Sequence, residues 1–249
     1  MASKIDSERD TTLSLLHGPS IEVKVISESG FERKWSLSKA LLLTHSGYFR
    51  RACRDDTFQE GINNQVELKD FEPEVFLLFI EFMLYGRYSS KDDLQDFLKI
   101  RDSAMAWVLG DYLDATEFKN CAMRDLYAIY CPGEGLAPKS GIGPAAIYFV
   151  CSKTMSSSHL WHFFKDVTVA YWHDEKVVAY YSQAEREDWS AVWDIHREFR
   201  DDLMYLLNQT QSEREEQISS LEYYIDLEHT VSLIFSPHNV TPLSQASFD

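Results

Sequence analysis

The sequence predicts an α/β head followed by an all-α C-terminal region. Three observations carry this. Between Ile21 and Arg87 the apolar spacing passes from alternation to a helical period, to a short strand and back to a helix. The stretch from Cys131 to Pro144 is the clearest break in composition, rich in Pro and Gly. Beyond it only helical periods recur. With 45% apolar and 14% aromatic residues over 249 positions, the chain can bury a substantial core.

In order, residues 1–17 are polar, lack a period and read as a disordered tail bounded by Gly18-Pro19. Ile21, Val23 and Val25 alternate with polar neighbours as a strand does. Ser29-Gly30 turns the chain, and Phe31 to Leu37 returns as the second strand of a hairpin. Ser36 or Ser38 is placed to cap a short helix carrying Leu41, Leu42 and Leu43, and Ser46 to cap the next. That next helix turns Tyr48, Phe49 and Ala52 inward and Arg50, Arg51 and Arg54 outward. Residues 55–65 read as a loop. Val66 and Leu68 share one side of a short strand. Pro73 suits a first helical turn, and the helix to Tyr85 is apolar nearly all round, ended by Gly86. Asp92 to Leu113 and Thr116 to Tyr130 form a helix pair.

The second half begins a helix at Pro144. Ser156-Ser157-Ser158 caps another that carries Leu160, Trp161, Phe163, Phe164 and Val167. Asp188 to Asn208 and Glu213 to Phe235 read as two further amphipathic helices, and Ser236-Pro237 ends them.

The motifs of the first half are specific. Ser38-Lys39-Ala40-Leu41 through Ser46-Gly47-Tyr48-Phe49 is similar to a His-Lys-x-x-Leu-x-x-x-Ser-x-x-Phe signature. Val66-Glu67-Leu68-Lys69-Asp70, with Phe76 and Phe82-Met83-Leu84-Tyr85-Gly86, is similar to a V-x-L-x-D … F … W-L-Y-x-G run. On these residues the stretch from Ile21 to about Cys131 resembles the BTB (POZ) domain, and the layout as a whole resembles the fungal group, in which a helical region without a named module follows. The resemblance implies a BTB/POZ fold, a helical cluster with a small three-stranded sheet. The expected division is 1–17 tail, 18–131 BTB domain with its helix pair, 132–143 linker, 144–235 helical region and 236–249 disordered tail.

The resemblance also implies a role: the fold presents surface to other proteins and has no cofactor cleft. In members that recruit a cullin-3-type ubiquitin-ligase scaffold, a hydrophobic-x-Glu motif precedes the third strand. Phe58-Gln59-Glu60 stands there, so Phe58 and Glu60 are the candidate cullin contact. The aromatic ring would supply anchor area and the carboxylate register. The competing reading packs Phe58 on its own sheet edge and leaves Glu60 solvated. Two departures matter. Ser38 stands where the family has His, and Ser20 or Ile21 where it has the Asp that opens the first strand. That Asp belongs to a charged pocket used by homodimeric members. The departures count against a homodimer of the animal type. Two functions follow: an adaptor, as a substrate-recruiting ligase subunit, or a self-associating scaffold in transcription or signalling; the partners expected are proteins, a cullin-type scaffold or a second copy of this chain among them.

Charge and motif content bound the rest. A net charge of −16 repels phosphate backbones and anionic lipid, so nucleic acid and membrane are not expected partners. The polar start and four scattered cysteines suit a reducing compartment, cytoplasmic or nuclear. Gly141-Ile142-Gly143-Pro144-Ala145-Ala146 matches G-x-G-x-x-A, but no strand precedes it and Pro144 removes a donor. Cys151, His159 and His162 lack the spacing of a zinc set. Asp174-Glu175 and the carboxylates of 185–188 read as solvated, and the Asn208 sequon as inert. No nucleophile motif is present. No catalytic residue, cofactor or metal is therefore expected, and the chain reads as a non-enzyme. Trp161, Trp172, Trp189 and Trp193, with Tyr180 and Tyr181, read as the core of the helical region, with a partner groove as the alternative.

Overall fold

The computed structural model describes residues 13–53, 64–90, 99–133, 135–179 and 183–226. Strand β1 (Ser20–Ile26) turns at Gly30, whose φ of 84° suits a residue without Cβ, and pairs antiparallel with β2 (Glu32–Ser38). The alternation predicted for β1 is realised: Ile21, Val23 and Val25 are buried. On the opposite face, Lys24 pairs with Glu32 at 2.7 Å and Lys34 with Glu22 at 3.2 Å.

Two short helices follow, α1 (Lys39–His45) and α2 (Gly47–Ala52). Ser38 holds the position before α1 but does not cap it. Its hydroxyl donates instead to the Leu15 carbonyl, and Ser36 is exposed in β2. That bond has a consequence upstream: residues 13–15 make a helical turn, with Leu15 against the core, inside the stretch read as a tail. Ser46 does cap α2, accepting from the Phe49 N–H at 3.2 Å and donating to the Leu113 carbonyl at 2.6 Å.

Strand β3 (Gln65–Lys69) then lies parallel to β1, giving the mixed order β2-β1-β3. A parallel neighbour needs a crossover, and α1 and α2 lie within it. Helix α3 (Pro73–Tyr85) buries most of its circumference and ends at Gly86, with φ 68° and its N–H on the Phe82 carbonyl at 2.8 Å. Leu41, Phe49, Phe76 and Phe79 share one interior, as the sequence pattern requires. Phe118 joins them, its ring centroid 5.1 Å from that of Phe79 and 5.4 Å from that of Phe82.

The helix expected over Asp92 to Leu113 is shorter: α4 is Asp102–Tyr112, and residues 99–101 are not helical. Arg101 is buried in an extended conformation at its start, and residues 92–98 lie outside the described set. Helix α5 (Thr116–Tyr130) packs close on α4, because Gly110 meets the Lys119 backbone where a Cβ would stand 3.1 Å from its nitrogen.

The expected linker 132–143 is packed at its far end. Ser140 and Ile142 are buried, and Ile142 forms a bridge with Val178 through its N–H on the Val177 carbonyl, at 2.6 Å, and the Ala179 N–H on its own carbonyl, at 3.0 Å. Then come α6 (Pro144–Lys153) and α7 (His159–Tyr171), with Ser158 capping α7 through the Trp161 N–H at 3.2 Å. The stretch expected as one helix from Asp188 to Asn208 is two, α8 (Gln183–Ile195) and α9 (Arg197–Leu206), broken where His196 leaves helical geometry at ψ 66°. Likewise, the helix expected from Glu213 begins as two short pieces, α10 (Gln211–Glu215) and α11 (Leu221–Tyr224), while 227–235 lie outside the described residues.

The core is continuous across both halves, running from Ile21 to Tyr224. Asp226 fastens the last described turn: it exchanges two backbone–side-chain bonds with Asn120, both 2.9 Å, and sits 2.5 Å from Lys119 and 3.1 Å from His159.

Candidate functional site

A groove of about 1070 Å³ separates the sheet-bearing half from the helical half. One wall comes from the hairpin turn, the end of β3, the start of α3 and the length of α4 from Met105 to Tyr112; the other from α6 and α8. Its floor is apolar, with Val75, Val108 and Val192 buried. Phe71, Met105 and Phe149 are half-buried along its sides, and Tyr112 and Tyr148 stand exposed at 47% and 45%. The rings are braced from behind: Tyr112 lies 4.9 Å from Phe71 and 5.3 Å from Tyr48, and Tyr148 lies 5.0 Å edge-on to His196. Burial holds the His196 imidazole below its ordinary pKa, so it is neutral at neutral pH, and it shares a 3.2 Å hydrogen bond with Ser152 on the same side.

The charged lining is unbalanced. It includes the carboxylates of Glu28, Asp70, Glu72, Asp111 and Asp188 against the ammonium groups of Lys69 and Lys153. Both lysines are already engaged, Lys153 with Glu28 at 2.6 Å and Lys69 with Glu67 at 3.0 Å. Asp70, Glu72 and Asp188 are exposed. The groove is therefore an apolar trough with an acidic edge.

The other residues weighed from the sequence do not converge. His159 faces Asp226, His162 lies edge-on to Trp161 at 5.4 Å, and burial pushes the Cys151 thiol up to about 12. Among the described residues no three His, Cys, Asp or Glu side chains gather to hold a metal. Cys121 and Cys131 are likewise pushed up by burial, to about 11 and about 12, so these thiols stay protonated and are poor nucleophiles. Asp174 accepts from the Lys176 N–H at 2.9 Å in a local turn. The Asn208 side chain is exposed and donates to the Met204 carbonyl.

The tryptophans resolve as core. Trp189 is 1% exposed, stacks on Trp193 at 4.7 Å, meets Trp172 at 5.4 Å and donates its indole N–H to the Ala179 carbonyl at 2.6 Å. Trp161 is buried too. Tyr180 and Tyr181, and the candidate contact Phe58 and Glu60, lie outside the described residues.

A family comparison bears on the first half of the molecule, the part with the mixed sheet and helical cluster. Residues 15–105 match the BTB/POZ domain. The match begins at Leu15, the residue whose carbonyl Ser38 engages, and ends in the first turn of α4. BTB domains are protein-interaction modules, and the BTB fold here carries a helical region fused to its core. No curated protein matches the chain. No helix among the described residues is long and apolar enough to cross a membrane.

The groove itself was not anticipated from the sequence. Its apolar members come from separate elements, α3, α4, α6 and α8, and those at its floor fit the core pattern of their own helices. The only local signal is Asp70-Phe71-Glu72, an aromatic flanked by carboxylates at the strand-to-helix turn.

Proposed function

We propose that this protein is a BTB-type adaptor: its BTB face docks on a scaffold of the cullin-3 type and its helical region presents a client. The observation that carries the reading is the BTB/POZ match over residues 15–105 together with a helical half that shares its core. Phe58 and Glu60 remain the proposed scaffold contact, an aromatic anchor beside a register-fixing carboxylate.

The test is direct binding of the purified chain to a purified cullin N-terminal domain. Wild type binds; Phe58→Ala, which removes an anchor side chain, weakens binding by at least tenfold, since hot-spot truncations cost about 2 kcal/mol or more. Absence of binding by the wild type, or binding indifferent to both Phe58→Ala and Glu60→Ala, contradicts the adaptor reading.

A further inference from the structure

We infer that the groove between the two halves binds a cationic amphipathic peptide segment of another protein. The inference rests on the protein-interaction reading but not on the cullin contact. Three features set the occupant's chemistry. Val75, Val108 and Val192 at the floor, with Tyr112 and Tyr148 above, call for aliphatic or aromatic side chains. The volume of about 1070 Å³ matches the upper end of small-molecule sites, roughly 1,000 Å³, and the trough lies open along the surface, which suits a peptide. The exposed carboxylates of Asp70, Glu72 and Asp188 call for lysine or arginine, because Lys69 and Lys153 are taken by Glu67 and Glu28.

Charge also argues against this chain filling its own groove. The longer stretches outside the described residues, 1–12, 54–63, 91–98 and 227–249, each contain more Asp and Glu than Lys and Arg. A second copy carries a net charge of −16 and is repelled from an acidic edge. The fitting occupant is a basic segment supplied in trans.

The experiment uses the full chain and two synthetic probes. One is a helix-forming peptide of leucine and lysine in amphipathic spacing; the other has glutamate in place of every lysine. Binding is read by fluorescence anisotropy at low and physiological salt. The leucine–lysine peptide binds and the leucine–glutamate peptide does not. Reversing the edge with E72K and D188K together weakens binding by at least tenfold. The matched reversal E175K with E216K, outside the groove, changes it by less than about twofold. Tyr148→Ser, at an exposed position that leaves the core intact, weakens binding several-fold at both salt concentrations. The inference is overturned by failure of the wild type to bind the leucine–lysine peptide, by equal binding of both peptides, by equal effects of the two double reversals, or by a dimer that Tyr148→Ser dissolves. Cullin binding measured on the same variants separates this result from the adaptor reading: the groove can fail while that contact holds, and the reverse.

Discussion

Lys153 Nζ stands 2.6 Å from Glu28 Oε1, joining α6 of the helical half to the hairpin turn of the BTB half. The hydrogen bond and charge of Lys153 hold the Glu28 carboxyl below its ordinary pKa. A carboxyl depressed in the folded state stabilises the fold above its unfolded pKa, and the contribution fades as pH falls through the folded value. Glu28 is 65% exposed and Lys153 35%, so the pair orients more than it stabilises. Lys153→Ala therefore leaves the urea midpoint at neutral pH nearly unchanged while making the groove edge more acidic. Urea titrations of the variant at neutral and acid pH check this: its small deficit at neutral pH disappears in acid.

Asp166 and Tyr224 make the opposite kind of contact. The Tyr224 hydroxyl donates to Asp166 Oδ2 at 2.8 Å and accepts from the Ser219 N–H at 2.9 Å, in a buried setting. Tyr224→Phe keeps the ring against Phe163 but leaves the carboxyl without this donor. The expected loss is about 1–3 kcal/mol in urea unfolding.

Burial raises the Asp166 pKa above its ordinary value. The folded state then holds this proton over a pH range in which the unfolded chain has released it. The contribution to stability is full below the unfolded pKa and is lost as pH rises through the folded one. Asp166→Asn removes that component, so the difference in unfolding free energy between variant and wild type changes across the mildly acidic range. A flat difference contradicts the assignment.

The shared interior makes a graded prediction. Phe79 is fully buried between Phe76 and Phe118, whereas Phe31 is 52% exposed at the hairpin turn. Phe79→Ala is expected to cost about 3–5 kcal/mol, by lost transfer energy and the cavity left behind. Phe31→Ala should change stability by no more than about 0.5 kcal/mol. Chemical denaturation of both variants checks the ordering.

Gly86 isolates a backbone effect. Its φ of 68° is left-handed, and a Cβ there would meet nothing within 4 Å. Gly86→Ala should cost about 1–2 kcal/mol from conformation alone. Thermal unfolding reads the loss, and an unchanged midpoint would show that the end of α3 does not need that conformation.

The first half was legible because its signals are local and repeated. Ile21, Val23 and Val25 alternate, Ser46 caps, Pro73 opens α3, Gly86 closes it, and each does in the structure what its chemistry prescribes. The misread positions are those where a distant partner outbid the local signal. Ser38 has the chemistry of a cap, but the Leu15 carbonyl takes its proton. Ile142 sits in a Pro- and Gly-rich run yet is buried through Val177 and Ala179, far along the chain. His196 interrupts an amphipathic period that has no Gly or Pro to announce a break. The groove was illegible for the same reason: Val75, Val108 and Val192 each look like the core of their own helix, and only tertiary packing leaves a trough between them.

The BTB fold and the helical region form one body on one core. Hydrogen exchange followed segment by segment, with urea raised toward the unfolding midpoint, tests it most directly. The most protected amides of β1 and α3 and those of α7 are expected to give way together, in a single global step. Loss of protection throughout α6 to α9 at a clearly lower urea concentration, with β1 and α3 still protected, would contradict it.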